Sequence, residues 1–131
     1  MMKGRVISPG KINGIALVSK EPVGFYGSVN IKTGIFIEKG HPLEGKSLKD
    51  MILVFPNGKG STVGSYVIYG LAKNKVGPKA IINKETETIV ATGVILAGIP
   101  CVDKIDIDQI HDGDNLTVDA DAGTVTVNAK K

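Results

Sequence analysis

Apolar and polar positions change their period along this chain, and each change predicts a different element. Gly14 to Ser19 and Gly34 to Glu38 are short, mainly apolar stretches that read as strands, with the turn-rich stretch Glu21 to Thr33 between them. A loop of that length without secondary structure is as a rule functional or disordered. Met51 to Phe55 is an apolar run consistent with a buried strand, and Pro56, Asn57, Gly58 and Gly60 then force a tight turn. From Ser61 to Ala72 the period becomes helical, with Val63, Val67, Ile68 and Leu71 on one face. Gly64 and Gly70 weaken that helix by about 1 kcal/mol each relative to alanine. Lys79 to Asn83 is the next strand, Thr86 to Ala97 a helix facing inward with Ile89, Val90, Val94 and Ala97, and Ile99 to Asp103 a further strand. Gly98 suits the C-terminal cap of the second helix, with Pro100 just beyond. In the tail, Leu116 and Val118, then Val125 and Val127, alternate with polar residues around a turn at Ala120 to Gly123, which predicts an antiparallel hairpin.

Strand, helix, strand, helix, strand implies right-handed crossovers and parallel pairing. The expected fold class is α/β: one β/β/α domain over residues 1–131, with a β/α core and a C-terminal antiparallel hairpin. The 131 residues suffice for one core, and 17 glycines fit short strands joined by tight turns.

Charge and composition narrow the function. The net charge of +3 is spread along the chain, three Tyr and three Phe are available for stacking, and no nucleic-acid-binding module is present. A mildly basic surface facing an anionic substrate fits better than a nucleic-acid partner. Met1 to Gly10 holds no apolar run of signal-peptide length, and Ile89 to Val102 is broken by Thr92, Gly93, Gly98 and Pro100. No membrane association and a cytoplasmic location are expected. One cysteine, Cys101, agrees with a reducing compartment and cannot by itself hold an iron-sulfur cluster.

The candidate chemistry lies in Pro56-Asn57-Gly58-Lys59-Gly60-Ser61-Thr62, where a buried strand turns into a helix N-terminus. Unpaired first-turn amides and the helix dipole favour negative charge there, so the Ser61 hydroxyl could act as a base on a carbon acid. A nucleotide-binding loop would need Ser or Thr at 60 and Gly at 53, where Gly60 and Leu53 stand. A hydrolase elbow would need Gly at 59 and 63, where Lys59 and Val63 stand. From the loop alone, Ser61 as a plain helix cap stays open. Asp119 and Asp121 fit a hairpin turn better than a calcium loop, His41 and His111 are isolated in sequence, and Cys101 reads as a small core residue.

The chain also resembles the small, swivelling subunits of the aconitase-X group. The markers are Gly24-Phe25-Tyr26-Gly27-Ser28-Val29-Asn30, Thr33-Gly34, His41-Pro42, Ile52 to Thr62, Gly77-Pro78-Lys79-Ala80-Ile81-Ile82 and Gly98-Ile99-Pro100-Cys101-Val102. Two positions depart from the family pattern, which carries Arg at Lys59 and Asp at Asn30. The resemblance implies a two-subunit hydro-lyase whose large subunit holds a 4Fe-4S cluster that takes the departing hydroxyl. Ser61 corresponds to the family's proton-abstracting serine, with Gly58, Lys59, Gly60 and Thr62 as the substrate-binding loop, and no metal is held by this chain. For archaeal members the implied substrate is a phosphorylated hydroxy acid, (R)-5-phosphomevalonate, dehydrated to trans-anhydromevalonate 5-phosphate. The alternatives are a relative dehydrating cis-3-hydroxy-L-proline, or a non-catalytic swivel or binding module. A further likeness, to phosphohistidine swivel domains, fails because Ile89 stands where the histidine would be.

Overall fold

The computed structural model describes residues 1–128. The chain runs β1 (Met2–Lys3), β2 (Arg5–Ser8), β3 (Lys11–Val18), β4 (Ile52–Phe55), α1 (Gly64–Lys73), β5 (Ala80–Asn83), α2 (Thr88–Ala97), β6 (Cys101–Asp103), a short 3-10 helix (Ile107–Gln109), β7 (Asn115–Asp119) and β8 (Thr124–Val127). The strands line up in the order β1-β8-β7-β3-β4-β5-β6-β2. Pairing is parallel from β3 through β4 and β5 to β6, as the two crossovers require, and antiparallel elsewhere.

Two stretches of chain serve both halves of the sheet. The first part of β3, Lys11–Ile15, pairs with β7, and its last part, Ala16–Val18, pairs with β4. The N-terminal stretch does the same at the two edges: Met2 and Lys3 pair with β8, Arg5 to Ser8 with β6, and Gly4 lies between. A Cβ at Gly4 would run into the carbonyl oxygen of Asp103, so this crossing admits only glycine. One covalent stretch thus joins both edges and nearly closes the sheet, leaving little edge to pair with other chains.

Alternation along the central strands divides the core into two layers. Ile52 and Val54, Ala80 and Ile82, and Val102 point toward Leu116, Val118 and Val125 of the antiparallel half. Leu53, Phe55, Ile81 and Cys101 point the other way, onto Ile68 and Leu71 of α1 and Val90 and Val94 of α2. The expected β/β/α layering is present. All of these side chains are fully buried, and truncating one of the leucines to alanine costs about 2–5 kcal/mol.

The expected strand at Gly34–Glu38 does not form. Ile35 and Phe36 make only single bridges, to Ser47 and Val29, because turns at Asn30–Thr33, Gly40 and Gly45 interrupt any ladder. Residues 19–51 instead fold irregularly over the helical layer, fixed by Val23, Phe25, Phe36, Leu43 and Leu48, all buried. His41 belongs to this packing: its Nδ1 accepts from the Leu43 amide at 3.1 Å and its Nε2 lies 3.0 Å from the Pro22 carbonyl. Among the described residues, no helix is long and apolar enough to cross a membrane.

Candidate active site

The loop after β4 has a rigid base. The Pro56 carbonyl accepts from the Lys84 and Glu85 amides at 3.1 and 3.0 Å, tying the exit of β4 to the exit of β5. Val23 clamps the next residues, donating to the Asn57 carbonyl at 3.2 Å and accepting from the Lys59 amide at 3.1 Å. Gly58 is buried, and a Cβ there would collide with the Glu87 carboxylate and stand 2.6 Å from Cγ2 of Val90. Gly60, at φ +92°, occupies the left-handed region and turns the chain outward.

The tip beyond that turn is open. Lys59, Gly60, Ser61 and Thr62 are all exposed. Helix α1 begins at Gly64, three residues later than the hydrophobic period predicts, because Ser61 to Val63 form a separate turn. Ser61 Oγ accepts from the Val63 amide at 3.2 Å, and the Ser61 and Thr62 carbonyls take the Gly64 and Ser65 amides at 2.9 and 3.2 Å. The amides of Gly60, Ser61 and Thr62 have no protein acceptor among the described residues. On exposed residues, successive amides without a protein acceptor are donors available to an anion.

The two helices differ at their N-termini in a way that concentrates this effect. Glu87 closes α2, its two carboxylate oxygens accepting from the Ile89 and Val90 amides at 2.9 and 2.7 Å. Helix α1 has no side-chain cap bond and no acid in its first turn. Its positive end is therefore unneutralised at Ser61, and a negative charge on Oγ gains both the dipole and the Val63 hydrogen bond. A pocket of about 310 Å³ adjoins the tip, lined by Thr62, Val63, Ser65, Tyr66, Thr88, Ile89 and Thr92.

A family model described as the aconitase X swivel domain matches residues 1–127. The chain belongs to the aconitase X swivel-domain family. It is 58% identical to the phosphomevalonate dehydratase small subunit of Methanocaldococcus jannaschii, over 96% of each chain. Against the protein of the same name from Thermococcus sibiricus the identity is 56%, over 96% of this chain and 97% of the relative. A crystal structure of Thermococcus kodakaraensis aconitase X in its holo form superimposes with a TM-score of 0.96 at 50% identity, covering 98% of both chains.

In this swivel domain the remaining candidates are placed apart from the serine tip. Asn30, one of the two departures from the family pattern, turns its side chain onto its own loop, Oδ1 accepting from the Lys32 and Thr33 amides at 2.9 and 3.3 Å. Asp119 is spent in the hairpin turn, accepting from the Asp121 and Ala122 amides, both at 3.1 Å. Burial pushes the Cys101 thiol up to about 12, so the thiolate needed for metal binding or nucleophilic attack is suppressed. His111 is exposed, with Nδ1 3.8 Å from Asp114. Among the described residues, no three His, Cys, Asp or Glu side chains are grouped to hold a metal ion. A larger cleft of about 510 Å³ touches the loop only at Pro56; in it Lys104 pairs with Glu85, and Asp106 caps the 3-10 helix.

Two features escape sequence reasoning. Glu87 underlies the loop at Gly58, a contact that no spacing rule links to residue 58. Arg5, Asp103 and the Thr86 amide form a network joining β2, β6 and the approach to α2, assembled from distant parts of the chain.

Proposed function

We propose that this swivel domain is the small subunit of a two-subunit hydro-lyase, working in the cytoplasm, that dehydrates (R)-5-phosphomevalonate to trans-anhydromevalonate 5-phosphate. The substrate is taken from the names of the relatives at 56% and 58% identity. The observation that carries the catalytic role is the Ser61 hydroxyl, exposed at the uncapped end of α1 and held by the Val63 amide.

In this reading Ser61 Oγ, in its deprotonated form, takes a proton from the carbon next to the substrate carboxylate. The electron pair of that C–H bond becomes the new carbon–carbon double bond, and the hydroxyl on the neighbouring carbon leaves. The Val63 amide and the α1 dipole lower the cost of the alkoxide, and the free amides of Gly60, Ser61 and Thr62 receive a substrate anion. Lys59 adds positive charge at the same tip as a point charge, without the planar fork of the arginine usual in the family. Gly58 contributes by letting the loop lie against Glu87.

The residues of this chain do not fit a 4Fe-4S cluster: its one thiol is buried, and His41 is engaged in the packing around Pro22. In this reading the large subunit holds the cluster and supplies its chemistry. The test is to co-express the chain with the large subunit from the same genome, reconstitute the cluster anaerobically, and assay dehydration with wild type and Ser61→Ala. Wild-type turnover with a loss of about 10²-fold or more in the variant is expected. Unchanged turnover in the variant removes Ser61 as base, and turnover of cis-3-hydroxy-L-proline alone changes the substrate while keeping the mechanism.

A further inference from the structure

The aromatic residues of this chain are sorted by position. Its three phenylalanines are buried, whereas its three tyrosines, Tyr26, Tyr66 and Tyr69, are 61%, 69% and 41% exposed. Tyr66 and Tyr69 share one face of α1, and the loop carrying Tyr26 borders that helix. The Tyr26 backbone lies beside Gly64 at the start of α1, and Ile31 sits directly over Gly70, with its carbonyl accepting from Asn74 Nδ2 at 2.8 Å. Tyr66 and Tyr69 are one turn apart on the same helix, and Val63, 43% exposed, continues the surface to the serine tip. Exposed tyrosines and branched aliphatics grouped this way are costly to leave in water and are enriched at the buried centres of interfaces.

Two lysines flank this face: Lys59 stands at the serine tip, and Lys73 lies in the last turn of α1. Neither lysine makes an ion pair among the described residues. Lys73 instead rests over the Tyr69 ring, its Nζ 5.9 Å from the centroid.

We infer that the surface formed by Tyr26, Ile31, Val63, Tyr66 and Tyr69 is the docking face for the large subunit, which meets it with an apolar centre and an acidic rim. This rests on the dehydratase reading above and specifies its partner. Continuity selects the occupant: a protein that completes a site over Ser61 must cover Val63 and Tyr66, the residues that link the tip to the tyrosines. The other exposed apolar pair on a helix, Ile95 and Leu96 of α2, lacks that connection. The face also explains why Gly70 sits mid-helix, since it lets Ile31 lie flat against α1.

Isothermal titration of the large subunit from the same genome against this chain tests the assignment. Tyr66→Ala with Tyr69→Ala is expected to weaken binding by about 30-fold or more. Tyr66→Glu alone is expected to do the same, and Ile95→Ala with Leu96→Ala to stay within about twofold of wild type. Unchanged circular dichroism and melting temperature of each variant separate docking from folding. Wild-type affinity is also expected to fall about fivefold or more between about 50 and 500 mM salt, since opposed charges across a rim are screened. If wild type binds and the double-tyrosine variant binds as tightly, the face is wrong and the dehydratase reading stands. If wild type binds no large subunit, that reading falls and the docking face with it. Tyrosine-dependent self-association would then give the surface to a second copy of this chain.

Discussion

Arg5 grips Asp103 with two parallel hydrogen bonds, Nε to Oδ1 at 3.0 Å and Nη2 to Oδ2 at 2.7 Å, across 98 positions of sequence. The carboxylate is fully buried and also accepts from the Thr86 amide at 2.8 Å. Burial alone would push its pKa up, but the guanidinium and the amide outweigh that and hold Asp103 below its ordinary 3.8.

The sign of the pH dependence follows. A carboxyl whose folded pKa is depressed stabilises the native state above its unfolded pKa, and that contribution disappears as pH falls through the folded value. Asp103→Asn is expected to lower the melting temperature at pH 7 and to narrow its gap from wild type below about pH 4. Melting curves across pH 2–7 check this, and a gap that widens in acid would contradict it.

Gly58→Ala places a methyl against Glu87 and Val90. A loss of about 1–3 kcal/mol is expected, with dehydratase activity falling as the serine tip shifts. Pairing it with Glu87→Ala removes the carboxylate part of the collision and leaves that with Val90, so the double variant should be more stable than the sum of the two single losses predicts. Chemical denaturation of all four proteins gives the coupling directly, and simple additivity would dissociate Glu87 from the loop.

Gly60→Ala addresses the same tip by a different route. With φ at +92°, any L side chain is strained there, and about 1 kcal/mol of stability should be lost. The decisive readout is kcat against KM: a displaced Ser61 lowers kcat, whereas disordered amides alone raise KM.

Cys101, with its thiol near 12, should resist a disulfide-exchange reagent in the folded protein at pH 8 and react quickly once denatured. Rapid native-state labelling would show that the β6 layer opens readily.

Periodicity made much of the fold legible. The two helices, the central strands and the tail hairpin each have enough regularly spaced apolar residues to betray their period. The N-terminal strand pair was not legible, because Gly4 and the polar residues around it break the alternation, and its partners lie at the far end of the chain. Gly34 to Glu38 misled for the opposite reason: its residues favour a strand, but the turns around it leave no room for a ladder. At the site, the sequence singled out the loop from Pro56 to Thr62 and left open whether Ser61 was a plain cap. In the structure Ser61 does not cap α1: its Oγ accepts from the Val63 amide in the turn before the helix, and the residue is exposed.

The joining of both sheet edges by one N-terminal stretch also governs how the domain is made. Met2 and Lys3 need Val125 and Thr124 as partners, so β1 can join the sheet only once the distant segment holding β8 has been made and placed. Contacts of such high order slow folding. Until β1 has docked, β8 keeps an open edge to which another chain could add.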